Sequence, residues 1–288
     1  MTTQAGIVVV DKPAGLTSHA VVAKTRKILG TRKIGHAGTL DPMATGVLVL
    51  GVNRATRLLG HLMLTDKGYD TTIRLGVSTT TDDAEGEVTS TTSTAALDEA
   101  TVRSALLQFV GDIEQVPTQV SAIKVDGKRA YERVRDGEEV TLKARPVTIH
   151  EIVVHDVRPG DDHLDLDVSL RCTSGTYVRA VARDLGRVLG VGGHLTALRR
   201  TAVGPFDLAA SCTLEELAEH QTLVPIAHVA RACFASVDLD DAQAADVRVG
   251  RALALDLDCL TAVFDPAGEF LALYEPRDGQ ARAAAVFV

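Results

Sequence analysis

The sequence is poor in aromatic residues and has no closely spaced cysteines. Aromatic side chains make up 3% of its 288 residues, and tryptophan is absent. Its four cysteines are far apart and form no C-x-x-C pair. Such spacing is typical of isolated thiols in a reducing compartment rather than of a disulfide framework or a thiolate metal site. We therefore expect a cytoplasmic protein whose stability comes from an ordinary hydrophobic core.

Long apolar runs and the common cofactor motifs are also missing. No stretch approaches the ~20 uncharged apolar residues that span a bilayer, and the first six residues do not resemble a signal peptide. The chain has no glycine motif for phosphates or dinucleotides, no H-E-x-x-H and no G-x-S-x-G. Its nine histidines form no metal-ligand cluster with cysteines or carboxylates. Nucleotide cofactors, zinc and serine hydrolysis therefore have no support in the sequence.

The chain does have an uneven distribution of charge. Its net charge is −8, which at first argues against a nucleic-acid partner. Residues 1–60, however, carry eight Lys or Arg and two acids, a net charge of +6, and residues 171–207 have a net charge of +4. Residues 236–288 have a net charge of −6. A local basic field attracts phosphates whatever the total, although solvated helix faces explain the same pattern equally well.

Residues 35–46 form a glycine-rich loop that holds one carboxylate, Asp41, ahead of the apolar run 47–50. Pro42 biases Asp41 toward extended backbone, and the glycines let the main chain pass close to a ligand. The apolar run predicts a buried strand that anchors the loop. An Asp-Pro pair is more often an ordinary turn in which the carboxylate caps backbone amides. By itself the loop is compatible with a catalytic acid and with a turn residue.

Three other residues are candidates to act with Asp41. Tyr69 lies in a strand-like stretch, where a half-buried strand tyrosine is the simpler explanation. Arg179 begins an amphipathic helix after a Ser-Gly-Thr-Tyr turn, and His36 lies in the glycine-rich loop. An arginine beside an aspartate in a cleft would keep the acid ionised, as a nucleophile requires. These residues alone indicate either a cofactor-free enzyme that uses a carboxylate or a nucleic-acid-binding protein.

Five blocks of sequence, in order over roughly residues 7–207, resemble the TruB family of tRNA pseudouridine synthases. The glycine-rich loop closely resembles the catalytic loop of that family. The other four blocks lie within residues 11–18, 75–86, 117–131 and 175–201.

The resemblance implies an α+β pseudouridine synthase fold, which is a mixed, largely antiparallel sheet with flanking helices. It also implies a small C-terminal β-rich domain that is PUA-like. We predict a catalytic domain over residues 1–233, with an RNA-gripping insertion at about 112–146, and a C-terminal domain over residues 234–288. Short apolar runs that alternate with turn residues favour strands in this last part of the chain.

The function implied by the resemblance is the isomerisation of uridine to pseudouridine at position 55 in the T-loop of tRNA. By resemblance Asp41 is the nucleophile, Arg179 pairs with it, and Tyr69 stacks on the uracil and is a candidate to help remove the C5 proton. The target base has to leave its stack, and His36 would help to hold the opened loop. Other residues are implied to line the pocket or to meet phosphates: Tyr177, Leu198, Lys12, Lys124, Arg199 and Arg200.

The resemblance also implies a reaction without cofactor or metal, with tRNA as the partner. We expect a monomer that needs no protein partner and no membrane. Two alternatives stay open. One is a non-catalytic tRNA-binding or RNA-folding protein on the same scaffold, and the other is a related synthase that acts on another RNA or with a guide-RNA partner. The presence of both Asp41 and Arg179 argues against the first, and the compact length favours a stand-alone enzyme over the second.

Overall fold

A computed structural model describes residues 4–120 and 142–288 with their side chains, and residues 124–125 and 128–129 by their backbone alone. The side chain of Lys124 and most of the predicted RNA-gripping insertion lie outside this described part. Among the helices of the described residues, none is long and apolar enough to cross a membrane.

Strands and short helices alternate along the described chain. The strands are β1 (Gly6–Lys12), β2 (Ile34–His36), β3 (Thr45–Val52), β4 (Lys67–Leu75), β5 (Val77–Thr79), β6 (Val88–Thr91), β7 (Gly111–Gln115), β8 (Lys124–Val125), β9 (Lys128–Arg129), β10 (Arg145–Pro159), β11 (Leu164–Cys172), β12 (Gly193–Val203), β13 (Phe206–Asp207), β14 (Val224–Pro225), β15 (Ala235–Asp238), β16 (Thr261–Phe264), β17 (Phe270–Arg277) and β18 (Gln280–Val286). The helices are α1 (Ser18–Leu29), α2 (Leu59–Leu62), α3 (Glu99–Leu107), α4 (Val178–Val188), α5 (Leu214–His220), α6 (Ile226–Cys233) and α7 (Asp241–Arg248), and a 3₁₀ helix (Asn53–Leu58) precedes α2.

One ten-stranded sheet forms the centre of the molecule. Its main path has the order β14-β1-β3-β12-β4-β11-β10-β7, while β2 pairs with β3 and β13 pairs with β12. Among its strand pairs only β3 and β12 run parallel, and this pairing is short. The sheet and its helices confirm the predicted α+β class with a mixed, largely antiparallel sheet.

Strands β1 and β3 are buried on both faces, which explains their uninterrupted apolar sequences. Val8 and Val10 of β1 pack into the cluster that includes helices α1 and α4. Ile7 and Val9 point to the other face and pack with the 3₁₀ helix, α6 and the C-terminal strands. Because side chains alternate along a strand, a run without polar residues needs cover on both sides. The loop that follows β2 is therefore anchored on a strand in the middle of the core.

The helix that packs nearest to this loop is α1, and its ends are well defined. The Thr17 hydroxyl accepts a hydrogen bond from the Ala20 N–H at 3.0 Å, which caps the N-terminus. Gly30 ends the helix in the left-handed conformation. The buried face of α1 consists mainly of Val21, Val22 and Leu29, so its basic residues are left on the solvent side.

The C-terminal residues form a second sheet of four strands in the order β15-β16-β17-β18. This confirms the predicted β-rich C-terminal part, although helix α7 was not anticipated. Phe264, Phe270 and Phe287 pack into the same apolar cluster as β1 and β3. The second sheet therefore shares a core with the first. The domain boundary predicted after residue 233 falls between α6 and β15, and it stays a prediction.

Candidate functional site

The loop of residues 37–44, which we call the Asp41 loop, joins the antiparallel strands β2 and β3. Several hydrogen bonds hold it. The Ser18 hydroxyl lies 3.1 Å from the Leu40 carbonyl and 2.9 Å from the Leu40 N–H. The Ala44 N–H donates to the Asp41 carbonyl at 3.1 Å, which closes a tight turn around Pro42. The loop thus presents the Asp41 carboxylate from a fixed backbone.

Gly46 follows the loop at the start of β3, where no other residue fits. Its φ is +99°, a value that residues with a side chain rarely adopt. A Cβ atom at this position would lie 2.2 Å from the Arg200 carbonyl oxygen, because β12 passes directly alongside. The glycine therefore allows the close parallel contact that places β12 next to the loop.

Arg179 binds the Asp41 carboxylate with two nitrogens. Its Nε lies 3.0 Å from Asp41 Oδ2, and a terminal nitrogen donates to Oδ1 at 3.1 Å. The Arg179 side chain is 5% exposed, whereas that of Asp41 is 32% exposed. The two residues meet in a cleft, as the sequence led us to expect. Arg179 contacts the carboxylate from its buried side, and the solvent-facing side of the carboxylate remains accessible.

The same guanidinium also binds a second carboxylate, that of Asp83. Arg179 NH1 lies 3.2 Å from Asp83 Oδ2, and the Asp83 side chain is 3% exposed. The remaining Arg179 contacts are to the carbonyls of Thr81 at 2.8 Å and Val120 at 2.9 Å. The sequence reasoning did not single out Asp83 as a site residue. It lies in a polar loop with other acids, and nothing in the sequence marks one of them as buried.

These contacts set the protonation of Asp41. Burial is the largest influence and raises its pKa above the ordinary aspartate value. The positive charge of Arg179 opposes this shift, while the negative charge of Asp83 adds to it. One guanidinium is thus shared by two carboxylates. Arg179 aims Asp41 and partly offsets its burial, but the net shift of the pKa remains upward.

Tyr69 lies on β4 at the inner wall of the cleft and is 9% exposed. Its phenol interacts with the guanidinium of Arg200, the residue opposite it on β12. Burial raises the pKa of Tyr69 above its ordinary value, although the nearby Arg200 charge opposes the shift. The side chain is therefore a neutral phenol near neutral pH.

The prediction that Lys12 contacts phosphate is corrected by its position. The side chain is fully buried, and Nζ donates to the carbonyls of Pro13 at 2.9 Å, Leu16 at 2.6 Å and Pro42 at 3.1 Å. Burial lowers the pKa of Lys12 to about 8, against the influence of Asp41. Lys12 therefore holds the Asp41 loop to the end of β1 rather than facing solvent.

The same correction applies to Arg200, which is 1% exposed. Its Nε donates to the Val47 carbonyl at 2.7 Å. Its two terminal nitrogens donate to the carbonyls of Thr39 at 3.3 Å and Gly38 at 3.2 Å. With no free face for a phosphate, Arg200 supports the backbone of the Asp41 loop and one wall of the cleft.

Arg199, also predicted to meet phosphate, lies on the opposite face of the sheet from Arg200. It pairs with both carboxylate oxygens of Asp11, at 2.7 and 3.0 Å. It lines a separate open groove together with Asp70, the residue opposite it on β4. Arg199 is therefore neither unpaired nor close to Tyr69, and the structure does not support its predicted role.

The structure brings two further predicted residues, Tyr177 and Leu198, to the cleft wall. Tyr177 precedes α4, and its backbone forms reciprocal hydrogen bonds with the Gln115 side chain at 2.8 and 3.1 Å. Gln115 is 3% exposed and was not anticipated from the sequence. His36 lies beside the Asp41 loop in an edge-to-face contact with His19, with ring centroids 5.4 Å apart, outside the lining of the cleft.

The resulting cleft has a volume of about 260 Å³. This is slightly below the range of pockets that hold drug-sized ligands, so it fits a group as small as one nucleobase. Its lining comes from the Asp41 loop, α2 and β4, the turn before α4, and β12. The lining residues are Gly38, Thr39, Leu40, Asp41, Met63, Lys67, Tyr69, Ser174, Gly175, Thr176, Tyr177, Val178, Arg179, Leu198 and Arg200.

Models of known families match three consecutive segments of the chain. Residues 26–178 match the N-terminal domain of the TruB family pseudouridylate synthases. Residues 179–230 match the C-terminal domain of tRNA pseudouridylate synthase B, and residues 234–288 match the C-terminal domain of tRNA pseudouridine synthase II.

Curated relatives resemble the chain over its whole length. The tRNA pseudouridine synthase B of Cutibacterium acnes is 55% identical over 293 residues, which cover 100% of this chain and 99% of that protein. The tRNA pseudouridine synthase B of Streptomyces griseus is 55% identical over 295 residues, which cover 99% and 98% of the two chains.

Solved structures share the fold at lower identity. A chain of a Cbf5-Nop10-Gar1 complex superposes with a TM-score of 0.77 at 25% identity, over 99% of this chain and 85% of that chain. A chain of an H/ACA RNP bound to a substrate RNA containing 2′-deoxyuridine superposes with a TM-score of 0.75 at 24% identity, over 98% and 85%. These matches confirm the predicted fold.

Proposed function

Because the chain belongs to the TruB family of pseudouridine synthases, we propose that it isomerises the uridine at position 55 in the T-loop of tRNA to pseudouridine. The observation that carries this proposal is the Asp41 carboxylate, held by Arg179 at 3.0 and 3.1 Å in a cleft of about 260 Å³. Such a cleft accepts one base and presents one carboxylate to it.

The reaction needs an ionised acid but no change of oxidation state. The N1–C1′ bond of uridine breaks, the uracil turns while it is retained, and a C5–C1′ bond forms. C5 loses its proton and N1 gains one, so the product is an isomer of the substrate. The chain's own side chains can supply these steps without an external reactant.

We assign Asp41 as the nucleophile. A carboxylate attacks only when it has lost its proton, and the contact with Arg179 favours this ionised form. Attack at C1′, attack at the base, and assistance to glycal formation all require the same ionised group. The 32% exposure of the Asp41 side chain leaves its reactive oxygens accessible from the cleft.

Tyr69 is suited to stack on the uracil, because its ring lies in the cleft wall. A role in removing the C5 proton is less well supported. Burial raises the pKa of Tyr69, so its phenol carries its own proton near neutral pH and would have to lose it before acting as a general base. Leu198 and Tyr177 complete the apolar part of the wall.

The target base is stacked within the T-loop, so it has to be flipped into the cleft. Unstacking costs a few kcal/mol, which contacts in the flipped state have to offset. His36 lies beside the Asp41 loop and outside the cleft lining, where it would contact the RNA that the base has left. We propose that His36 helps to hold the opened T-loop.

The test is to incubate the purified chain with a bare tRNA transcript and to map pseudouridine along it. We expect modification at position 55 alone. Asp41→Asn should abolish the product while tRNA binding stays within about tenfold of wild type, since only the ionisable oxygen is lost. Asp70→Asn is a matched control, because this exposed aspartate lies on the other sheet face and outside the cleft, and its carboxylate accepts a hydrogen bond from Ser169.

The possible results separate the alternatives. Turnover by Asp41→Asn would exclude Asp41 as the nucleophile. Modification at another position would change the substrate assignment. A transcript that binds tightly and is never modified by the wild-type chain would indicate a non-catalytic RNA-binding protein.

A further inference from the structure

Positive charge is concentrated around the Asp41 loop. Between residues 12 and 65 Asp41 is the only acidic residue, although the whole chain contains 38. Five exposed cations lie on α1 and in the turn that leads to β2, and one of them, Arg26, donates to a backbone carbonyl. We call the other four the α1 basic patch: Lys24, Lys27, Arg32 and Lys33.

The patch differs from several neighbouring cations in having no protein partner among the described residues. Within the described residues, none of its four side chains forms an ion pair or a hydrogen bond. Arg54 and Arg57, in contrast, each donate to a carbonyl of the C-terminal residues at 2.8 Å. Arg199 is paired with Asp11. The charges of the patch are therefore available to an external anion.

The patch is physically continuous with the catalytic loop. Ser18, the first residue of α1, bonds Leu40 of the Asp41 loop. Lys24 and Lys27 follow about 9 and 14 Å further along the helix axis. Arg26, between them in sequence, donates to the Ile34 carbonyl at 2.8 Å and so ties α1 to β2. The helix that carries Lys24 and Lys27 is thus tied both to the Asp41 loop and to β2.

Acidic residues of the neighbouring helix do not neutralise the patch. Helix α5 packs against α1 and carries Glu215, Glu216 and Glu219. Glu216 accepts a hydrogen bond from the Thr213 N–H, and Glu219 lies 3.9 Å from His220. None of these glutamates pairs with a cation of α1 in the described structure.

We propose that the α1 basic patch binds the phosphate backbone of the tRNA a few nucleotides from the target uridine. This inference rests on the proposed function and adds a second contact region to it. The two lysines lie about 9 and 14 Å along the helix axis from Ser18, the residue that bonds the Asp41 loop, a distance that a few nucleotides of one strand can cover. A flipped base in the cleft and phosphates on the patch are therefore compatible with one continuous strand.

The test compares two pairs of charge-removing substitutions in the full-length chain. Lys24→Gln with Lys27→Gln removes two charges from the patch. Arg277→Gln with Arg282→Gln removes two exposed charges from the C-terminal sheet and serves as the matched control. The measurements are the Kd for a tRNA transcript at several salt concentrations and the single-turnover rate at saturating enzyme.

The patch variant should bind about tenfold more weakly, and the slope of log Kd against log salt should fall by about one to two. Its single-turnover rate at saturation should match that of wild type, because neither lysine touches the cleft. Unchanged affinity, or an equal loss in the control variant, would overturn the proposal, as would a loss of saturating rate without a loss of affinity. Failure of the proposed function is distinct, since the wild-type chain would then form no pseudouridine.

Discussion

Two buried arginines hold the Asp41 loop from two sides, and they use different partners. Arg179 binds two carboxylates, those of Asp41 and Asp83, in addition to two backbone carbonyls. In the described residues Arg200 pairs with no carboxylate: it binds the carbonyls of Gly38, Thr39 and Val47 and the Tyr69 phenol. Both guanidiniums are at least 95% buried. The same residue type therefore meets two different requirements within one site.

The difference separates the charge of the site from its shape. A guanidinium stabilises the ionised form of a carboxylate partner and so lowers its pKa, whereas backbone carbonyls do not titrate, and binding them fixes the path of the chain. Lys12 belongs with Arg200 in this respect, because its Nζ binds three carbonyls, including that of Pro42. Arg200 and Lys12 thus mainly fix the backbone of the loop, while Arg179 is the cation with the largest influence on the pKa of Asp41. Substitutions that affect the charge of the site should therefore change the rate or its pH dependence, whereas substitutions that affect the backbone of the loop should lower stability.

The largest effect is expected from Arg179→Lys. Lysine keeps the charge but cannot bind two carboxylates and two carbonyls with one planar fork, so Asp41 loses its orientation. The single-turnover rate should fall by about 10²–10³-fold, or roughly 2.7–4 kcal/mol in the barrier. Arg183→Lys, one turn further along α4, is the control and should stay close to wild type. Equal losses of single-turnover rate in the two variants would show that Arg179 has no special role in orienting Asp41.

A large effect on stability rather than on rate is expected from Gly46→Ala, which tests the backbone contacts of the loop. The new Cβ would collide with the Arg200 carbonyl at a backbone φ of +99°. Conformational strain and overpacking together should lower the free energy of unfolding by about 3–5 kcal/mol. Gly111→Ala is the control, because its φ is +103° but no atom lies within 4 Å. A similar loss in both variants, measured by denaturant unfolding, would mean that φ strain alone sets the cost.

A smaller effect is expected from Arg200→Lys. Lysine can still donate to carbonyls, as Lys12 does, but it cannot reach three of them with the same geometry. Stability should fall by about 1–3 kcal/mol and the single-turnover rate by about tenfold. If this variant lost as much single-turnover rate as Arg179→Lys, Arg200 would do more than support the backbone of the Asp41 loop.

The smallest effect is expected from Asp83→Asn, and it concerns the pH dependence. The negative charge of Asp83 raises the pKa of Asp41, so its removal should lower that pKa. Because the ionised form of Asp41 is the active one, activity should then persist to lower pH. The measurement is the acid limb of the single-turnover rate against pH. If the acid limb of the variant moved to higher pH instead, Asp83 would act mainly by holding Arg179 in place.

Much of the fold and of the site could be predicted from the sequence. Apolar runs without polar residues indicated strands in a core, as in β1 and β3. The glycine-rich loop indicated that Asp41 is held in a constrained backbone. The pairing of Asp41 with Arg179 was expected from the resemblance to a family, and the structure places them 3.0 Å apart.

The predicted phosphate contacts of Lys12 and Arg200 failed for a physical reason, while that of Lys124 stays a prediction. Lysine and arginine are usually exposed, so Lys12 and Arg200 were expected at the surface. Their burial depends in part on carbonyl oxygens that become available only when distant segments meet, although Lys12 also uses the nearby carbonyls of Pro13 and Leu16. Pro42 supplies one for Lys12, and Gly38, Thr39 and Val47 supply three for Arg200. Nothing in the local sequence of either residue encodes such a partner.

Arg199 and Arg200 show which features follow from the sequence alone and which depend on the tertiary structure. That two neighbours on a strand face opposite sides follows from the sequence alone, since side chains alternate along any strand. Which of them faces the cleft was decided by the register of β12 against β3 and β4, where Arg200 lies beside Gly46 and Tyr69. The register depends on long-range packing of the sheet, so it made one arginine a support of the catalytic loop and left the other paired with Asp11.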